Sequence, residues 1–266
     1  MKHKYLFIIV LLSNIGCTDN VMTGRKQLSL VSEPQVQSMA KQEYQSFLNE
    51  NKVLKNNESE MVKRVGSRIA LAIKQYYKNK NQENVLSGYI WEFNLVDNKE
   101  ANAWCMPGGK VVVYSGLLDF TKNEEGLAIV LGHEIAHSVA QHGRERMSQG
   151  LIQQFGGSAL SLALANKPKE TQNLFLTAYG IGSTVGGLLP FSRKAESEAD
   201  EYGLYFSALG GYNPGVAIPF WERMAASGGS KPIEFLSDHP SDEHRITKLK
   251  GYMPQVLKYY KSAAKS

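Results

Sequence analysis

The sequence predicts a single α+β domain, mainly helical, with one small β-sheet lying next to a buried helix. Three observations carry that prediction. Apolar residues recur at helical spacing on both sides of one stretch, residues 91–114, where the period falls to two. The helix that follows, announced by Thr121-Lys122-Asn123-Glu124 and running through Val139, has apolar residues on nearly every side of its first half, which marks a helix packed inside the domain. The 266 residues, with 42% apolar and 21% charged side chains, are ordinary for one globular unit or at most two small ones. A chain of this length buries roughly 70–75% of its unfolded surface, so it needs neither a disulfide nor a metal merely to fold. The formal charge of +5, from 30 basic and 25 acidic residues, is too small an excess for a nucleic-acid clamp, and no nucleic-acid partner is expected.

In chain order, residues 1–16 read as a signal peptide of lipoprotein type and residues 17–266 as one domain. Lys2, His3 and Lys4 precede the apolar run Tyr5–Leu12, far shorter than the roughly 20 residues of a bilayer-spanning helix. Gly16 followed by Cys17 resembles a bacterial lipobox, in which the leader is cut before the cysteine and the cysteine is lipidated. A membrane, held through lipidated Cys17, is therefore an expected partner. The only other cysteine is Cys105, so no internal disulfide is expected.

Ser32-Glu33-Pro34 has the polar cap and first-turn proline of a helix start, and the helix is expected to run to about Leu48. Residues 49–57 break it. A second amphipathic helix carries Met61, Val65, Ile69 and Ile73, and a polar loop follows at 78–88. Trp91, Phe93 and Leu95 alternate with polar neighbours, Lys110–Tyr114 is rich in β-branched residues, and Pro107-Gly108-Gly109 is the turn, so a small sheet is expected between helical layers. Thr121-Lys122-Asn123-Glu124 has capping-box form and opens the buried helix through Leu127, Val130, Leu131, Ile135 and Val139.

Residues 151–191 are rich in Gly, Ala and Leu around a polar interruption from Asn166 to Asn173. Each apolar piece is shorter than a membrane span, which favours two packed helices or a hairpin. From Arg193 a polar helix is expected to Leu209, with a break at Gly210-Gly211, a restart at Asn213-Pro214 and a loop at Ser237-Asp238-His239-Pro240. Residues 244–266 carry Arg245, Lys248, Lys250, Lys258, Lys261 and Lys265 without an acid, read as a solvated helix face.

The residues suited to chemistry cluster. Five of six histidines lie in two places, His133, His137 and His142 in one and His239 and His244 in the other. His133-Glu134-Ile135-Ala136-His137 is an HExxH motif, whose two imidazoles fall one turn apart on one helix face and can hold a single Zn²⁺. Glu134, rotated about 100° from His133, can face a zinc-bound water without taking a ligand position. A carboxylate in so apolar a helix would otherwise be costly to bury. A catalytic zinc needs a third protein ligand. Glu196 and Asp200, four residues apart on one helix face, offer that ligand and a carboxylate to accept the other ring N–H of a zinc histidine. Spacing alone leaves Glu198 as a rival to Glu196. His142, five residues after His137 and so about 140° around a continuous helix, is read as structural.

Together HEIAH, Glu196-x-x-x-Asp200, Asn102-Ala103-x-x-x-Pro107-Gly108-Gly109 and His239-Pro240-x-x-x-x-Arg245 resemble zinc metallopeptidase family 48, which includes HtpX and the CAAX prenyl endopeptidases. The resemblance spans about Val21 to Arg245 and is best to the soluble, lipoprotein-anchored branch. It implies a gluzincin-type metallopeptidase domain with one Zn²⁺ per chain, held by His133, His137 and Glu196, and with Asp200 behind the ligands. It implies that Asn102, Ala103, Trp104, Cys105 and Met106 form an edge strand receiving an extended substrate. His239 would lie near the metal, where it either stabilises the oxyanion or occupies the open position as a reversible inhibitor. The expected activity is zinc-dependent endopeptidase cleavage of unfolded, mistargeted or misassembled envelope proteins, with Glu134 activating the zinc-bound water. The expected location is the bacterial cell envelope, facing the periplasm and more readily at the outer than the inner membrane. The alternative is a chaperone-like lipoprotein whose zinc site is latent or regulated.

Overall fold

The computed structural model describes residues 16–155, 168–181, 191–226, 234–239 and 244–263. The leader read at 1–16 therefore lies outside the described residues except for Gly16, as do Pro240 and parts of the Gly/Ala/Leu-rich segment.

Strands β1 (Cys17–Asp19) and β2 (Lys26–Leu28) form a small antiparallel hairpin. Helix α1 (Glu33–Glu50) opens at Ser32, whose N–H donates to Gln35 Oε1 at 3.0 Å, with a proline in the first turn. Helix α2 (Asn57–Asn79) opens on Asn56, which exchanges two 2.9 Å hydrogen bonds with Ser59. Both starts follow from side chains that satisfy N–H groups the first turn leaves unpaired.

Strands β3 (Glu92–Val96), β4 (Ala103–Met106) and β5 (Lys110–Tyr114) form a sheet of order β3-β5-β4, with β5 parallel to β3 and antiparallel to β4. The turn into β5 needs its glycines, since Gly108 and Gly109 have φ of +76° and +81°. Trp91 lies just before β3, and a Cβ on Gly109 would meet its ring at 2.7 Å. One sheet face carries Phe93, Leu95, Ala103, Cys105, Val111 and Val113 into the main core with Ile69 and Ile73 of α2. The other carries Trp104, Met106, Val112 and Tyr114 into a second core with Tyr44 of α1. Burial on both faces explains why β5 reads as a nearly continuous apolar run rather than an alternating one.

A short helix α3 (Leu118–Thr121) precedes α4 (Glu124–Val139), the predicted buried helix, which is buried at every residue from Gly126 to Val139. Its cap differs from the expected one. Asn123 caps it by accepting from the Gly126 N–H, while Thr121 belongs to α3 and its hydroxyl donates to Leu118 O. Helices α5 (His142–Phe155) and α6 (Pro168–Ala178) share the second core through Met147, Leu151, Leu174 and Phe175. The polar interruption expected at 166–173 is thus helical from Pro168 on, because Pro168 opens α6 and its polar residues include the exposed Lys169 and Glu170.

Helix α7 (Arg193–Leu209) starts at Ser192, whose hydroxyl accepts from the Ala195 N–H, and ends at Gly210-Gly211. Asn213 caps a 3-10 turn (Pro214–Val216) leading into α8 (Ala217–Ala226); α9 (Glu234–Asp238) and α10 (Arg245–Ala263) follow. Among the described residues, no helix is long and apolar enough to cross a membrane. Helices α4 and α7 cross backbone on backbone. A Cβ on Gly132 would come within 2.5 Å of Gly203 O, and one on Gly203 within 2.8 Å of His133 N. Ser207 Oγ donates to Ala128 O across the same crossing at 2.8 Å.

Candidate active site

That crossing puts one face of α4 against the first turns of α7. His133 and His137 project from α4 with their Nε2 atoms 3.1 Å apart, and Glu196 of α7 reaches both, at 3.4 and 3.2 Å. His239, just after α9, adds its Nδ1 at 3.3 Å from His133 Nε2 and 3.0 Å from Glu196 Oε1. All four residues are buried, and their donor atoms lie within 4.8 Å of one another. The set fits a divalent metal. An ion with bonds of about 2.0–2.1 Å in tetrahedral coordination separates its ligand atoms by about 3.3 Å, and imidazole with one carboxylate is a donor set for such an ion.

Electrostatics differ between the two helix histidines. Burial disfavours charge on both, but Asp200 and Glu196 overcome it at His133 and lift its pKa to about 9, whereas His137 falls well below the usual imidazole range. Burial also opposes the Glu196 carboxylate, yet the histidines around it, His239 foremost, hold its pKa well below the carboxylate range.

Behind His133, Asp200 Oδ1 lies 3.1 Å from Nδ1, within ion-pair distance though off the line of a strict hydrogen bond. Arg245 Nε donates to Asp200 Oδ2 at 2.6 Å and its Nη2 to Glu196 Oε2 at 2.9 Å, while its guanidinium stacks 3.7 Å from the centre of the Trp221 ring. Arg245 is 5% exposed. It is therefore no part of a solvated basic face, as the charge run at the C-terminus had suggested, because two buried carboxylates draw it inward.

Behind His137 stands His142. Gln141 has φ +57°, which ends α4 and starts α5 in a new direction. The helix is not continuous, and His142 faces back with its Nδ1 3.0 Å from His137 Nδ1. Its Nε2 meets Glu198 Oε2 at 2.9 Å. Glu198, the rival third ligand by spacing, thus points away from the four converging donors.

Glu134 is 3% exposed, with Oε1 3.4 Å from His239 Nε2. The His239 ring is stacked between Phe235 and Phe191, at centroid distances of 4.7 and 5.5 Å. Among the described residues, strand β4 is an edge of the sheet and pairs with β5 alone. Because Tyr114 N–H donates to Asn102 O, the alternation of the ladder directs the backbone groups of Ala103 and Cys105 away from β5. Asn102, Ala103, Trp104, Cys105 and Met106 are nevertheless all buried, and Phe235 N–H already occupies the neighbouring Ala101 O at 3.2 Å. Ser138, next to His137, ties this strand to α4 by donating to Met106 O.

Two HExxH histidines joined by a glutamate from a later helix define a metallopeptidase site of the gluzincin type. Residues 57–253 match the model for Peptidase family M48, and the chain belongs to that family. It is 38% identical over 174 residues to the mitochondrial metalloendopeptidase OMA1 of Schizosaccharomyces pombe, covering 64% of this chain and 49% of that protein. It is 29% identical to OMA1 of Homo sapiens over 95% of this chain and 48% of that protein. It is 30% identical to the β-barrel assembly-enhancing protease of Escherichia coli over 62% of this chain and 35% of that protein. The chain thus spans about half or less of the length of these curated relatives.

Proposed function

We propose that this chain is a zinc-dependent endopeptidase that cleaves unfolded, mistargeted or misassembled proteins of the bacterial cell envelope. The observation that carries the reading is the convergence of His133, His137 and Glu196 with Glu134, an acidic residue outside that donor set, in one buried site. The donors number four, as in a structural zinc site, and the adjacent acidic residue is what sets this one apart.

His133, His137 and Glu196 would hold the ion, and zinc bound there would acidify water and polarise a scissile carbonyl. Glu134 takes the proton of the attacking water and returns it to the leaving amine. His239 Nδ1 lies among the donors that would hold the ion, so His239 would leave that position before substrate enters and would then donate to the oxyanion from its Nε2 side. Strand β4 is buried as it stands; once uncovered, the outward backbone groups of Ala103 and Cys105 pair with an extended substrate, a mode that accepts many sequences because it uses main-chain hydrogen bonds. A lipid on Cys17, exposed at the start of β1, anchors the chain to the periplasmic side of the outer membrane. The lipobox-like Gly16-Cys17 supports that placement.

One observation favours a second reading. His239 as a fourth protein donor is what a latent or structural site would have, as in a chaperone-like lipoprotein. Degradation of casein by wild type and Glu134→Gln, with metal analysis of both, decides. The enzyme reading expects about one zinc per chain in each protein and hydrolysis only by wild type. Equal cleavage by the variant overturns the mechanism, and zinc-loaded wild type without cleavage favours the latent site.

A further inference from the structure

We infer that Arg25, on the β1–β2 hairpin and ahead of the residues that match the family model, is a positioning residue for the metal ligand His137, acting through Glu198 and His142. The inference rests on the zinc reading above. Arg25 holds two carboxylates at once. Its Nη1 and Nη2 donate to the two oxygens of Glu145, both at 2.7 Å, and its Nε and Nη2 donate to Glu198 at 2.9 and 3.2 Å. The three side chains are only 14–15% exposed. A forked guanidinium fixes carboxylate orientation as well as charge, and solvent screens such a pair less than one on the open surface.

The tautomers run in one direction only. If His137 gives its Nε2 lone pair to a metal, its Nδ1 must carry the proton and donate to His142 Nδ1. His142 Nε2 then carries its own proton and donates to Glu198. Glu198, two residues from Glu196 and so about 200° around α7, faces Arg25 rather than the metal donors. The hairpin grips the same place through the backbone. Asn20 Nδ2 and Gln27 Nε2 both donate to Ala140 O, at 2.9 and 2.8 Å, a carbonyl that the end of α4 leaves without a helical partner. One element thus fixes both the end of α4 and the hydrogen-bond chain behind His137. Without Arg25, Glu198 is free to leave His142, and the His137 ring loses the partner that sets its rotation.

The test measures zinc affinity of the full chain by competition with a chromophoric chelator, so it does not depend on turnover. Arg25→Met is expected to weaken zinc about 10-fold and His142→Ala about 10–100-fold. The double variant is expected to match His142→Ala alone, because Arg25 acts only through that ring. Glu198→Leu, which leaves His142 Nε2–H without its acceptor, breaks the same chain should Arg25→Met fail to fold, and it too is expected to weaken zinc. Wild-type affinity in Glu198→Leu, or additive losses in the double variant, overturns the inference, as a merely structural hairpin would give one or the other. If the variants match a wild type that binds zinc tightly, only this inference falls. If wild type takes up no zinc, the reading beneath it falls as well.

Discussion

His133 and His137 stand one turn apart on one helix, yet they are backed in opposite ways. Behind His133 a single carboxylate, Asp200, is clamped by Arg245, which the fold buries and stacks on Trp221. Behind His137 the backing passes through a second imidazole to Glu198 and reaches Arg25 near the surface, on a segment more than 170 residues away in sequence from Glu198. The first is short and inside the matched domain; the second is long and leaves it. Histidines that are equivalent in the motif are therefore not equivalent in the folded chain, and their pKa values move in opposite directions.

The largest effect expected is at the short backing. Arg245→Met leaves Asp200 and Glu196 buried without their shared guanidinium, which should cost about 3–5 kcal/mol of stability in metal-free protein. Urea unfolding measures it, and a loss below about 1 kcal/mol would mean that the buried and half-buried arginines matter equally. Next, Asp200→Ala should weaken zinc about 10–100-fold while leaving the ligand count intact. Chelator competition reads this directly, and an unchanged affinity would show that His133 needs no partner behind it. The smallest effect belongs to the hairpin. Gln27→Ala removes one of two donors to Ala140 O, and Asn20 remains, so a loss of about 1 kcal/mol is expected in thermal or urea unfolding. A loss as large as that of Arg245→Met would erase the contrast between the two sides.

What the sequence made legible follows the same division. HExxH and Glu196-x-x-x-Asp200 are each written inside one helix, where a four-residue spacing already fixes which side chains share a face. The sheet between helical layers and the break at Gly210-Gly211 were legible for a similar reason, since period and glycine are local signals. The cap of α4 was misplaced by two residues because Thr121 and Asn123 are both good caps, and only the preceding turn α3 decides between them. His142 was legible as a residue outside the ligand set, but its contact with His137 was not. Its orientation depends on a left-handed Gln141, and nothing in glutamine announces that conformation. Arg25 had no local signature at all, because its partners Glu145 and Glu198 come from two other helices. Arg245 was visible in the His-Pro motif, but a count of charges cannot separate a cation buried on carboxylates from one in water.

The glycine contact between α4 and α7 carries a consequence for metal fidelity. Coordination bonds tolerate errors of only about 0.2 Å. A methyl group on Gly132 would start 2.5 Å from a backbone oxygen, where ordinary contact begins at 3.4 Å, so the helices would have to part by several times that tolerance. Glu196 sits on one of these helices and both histidines on the other. The spacing that a metal would feel is thus inherited from two residues that have no side chain and supply no donor atom to it.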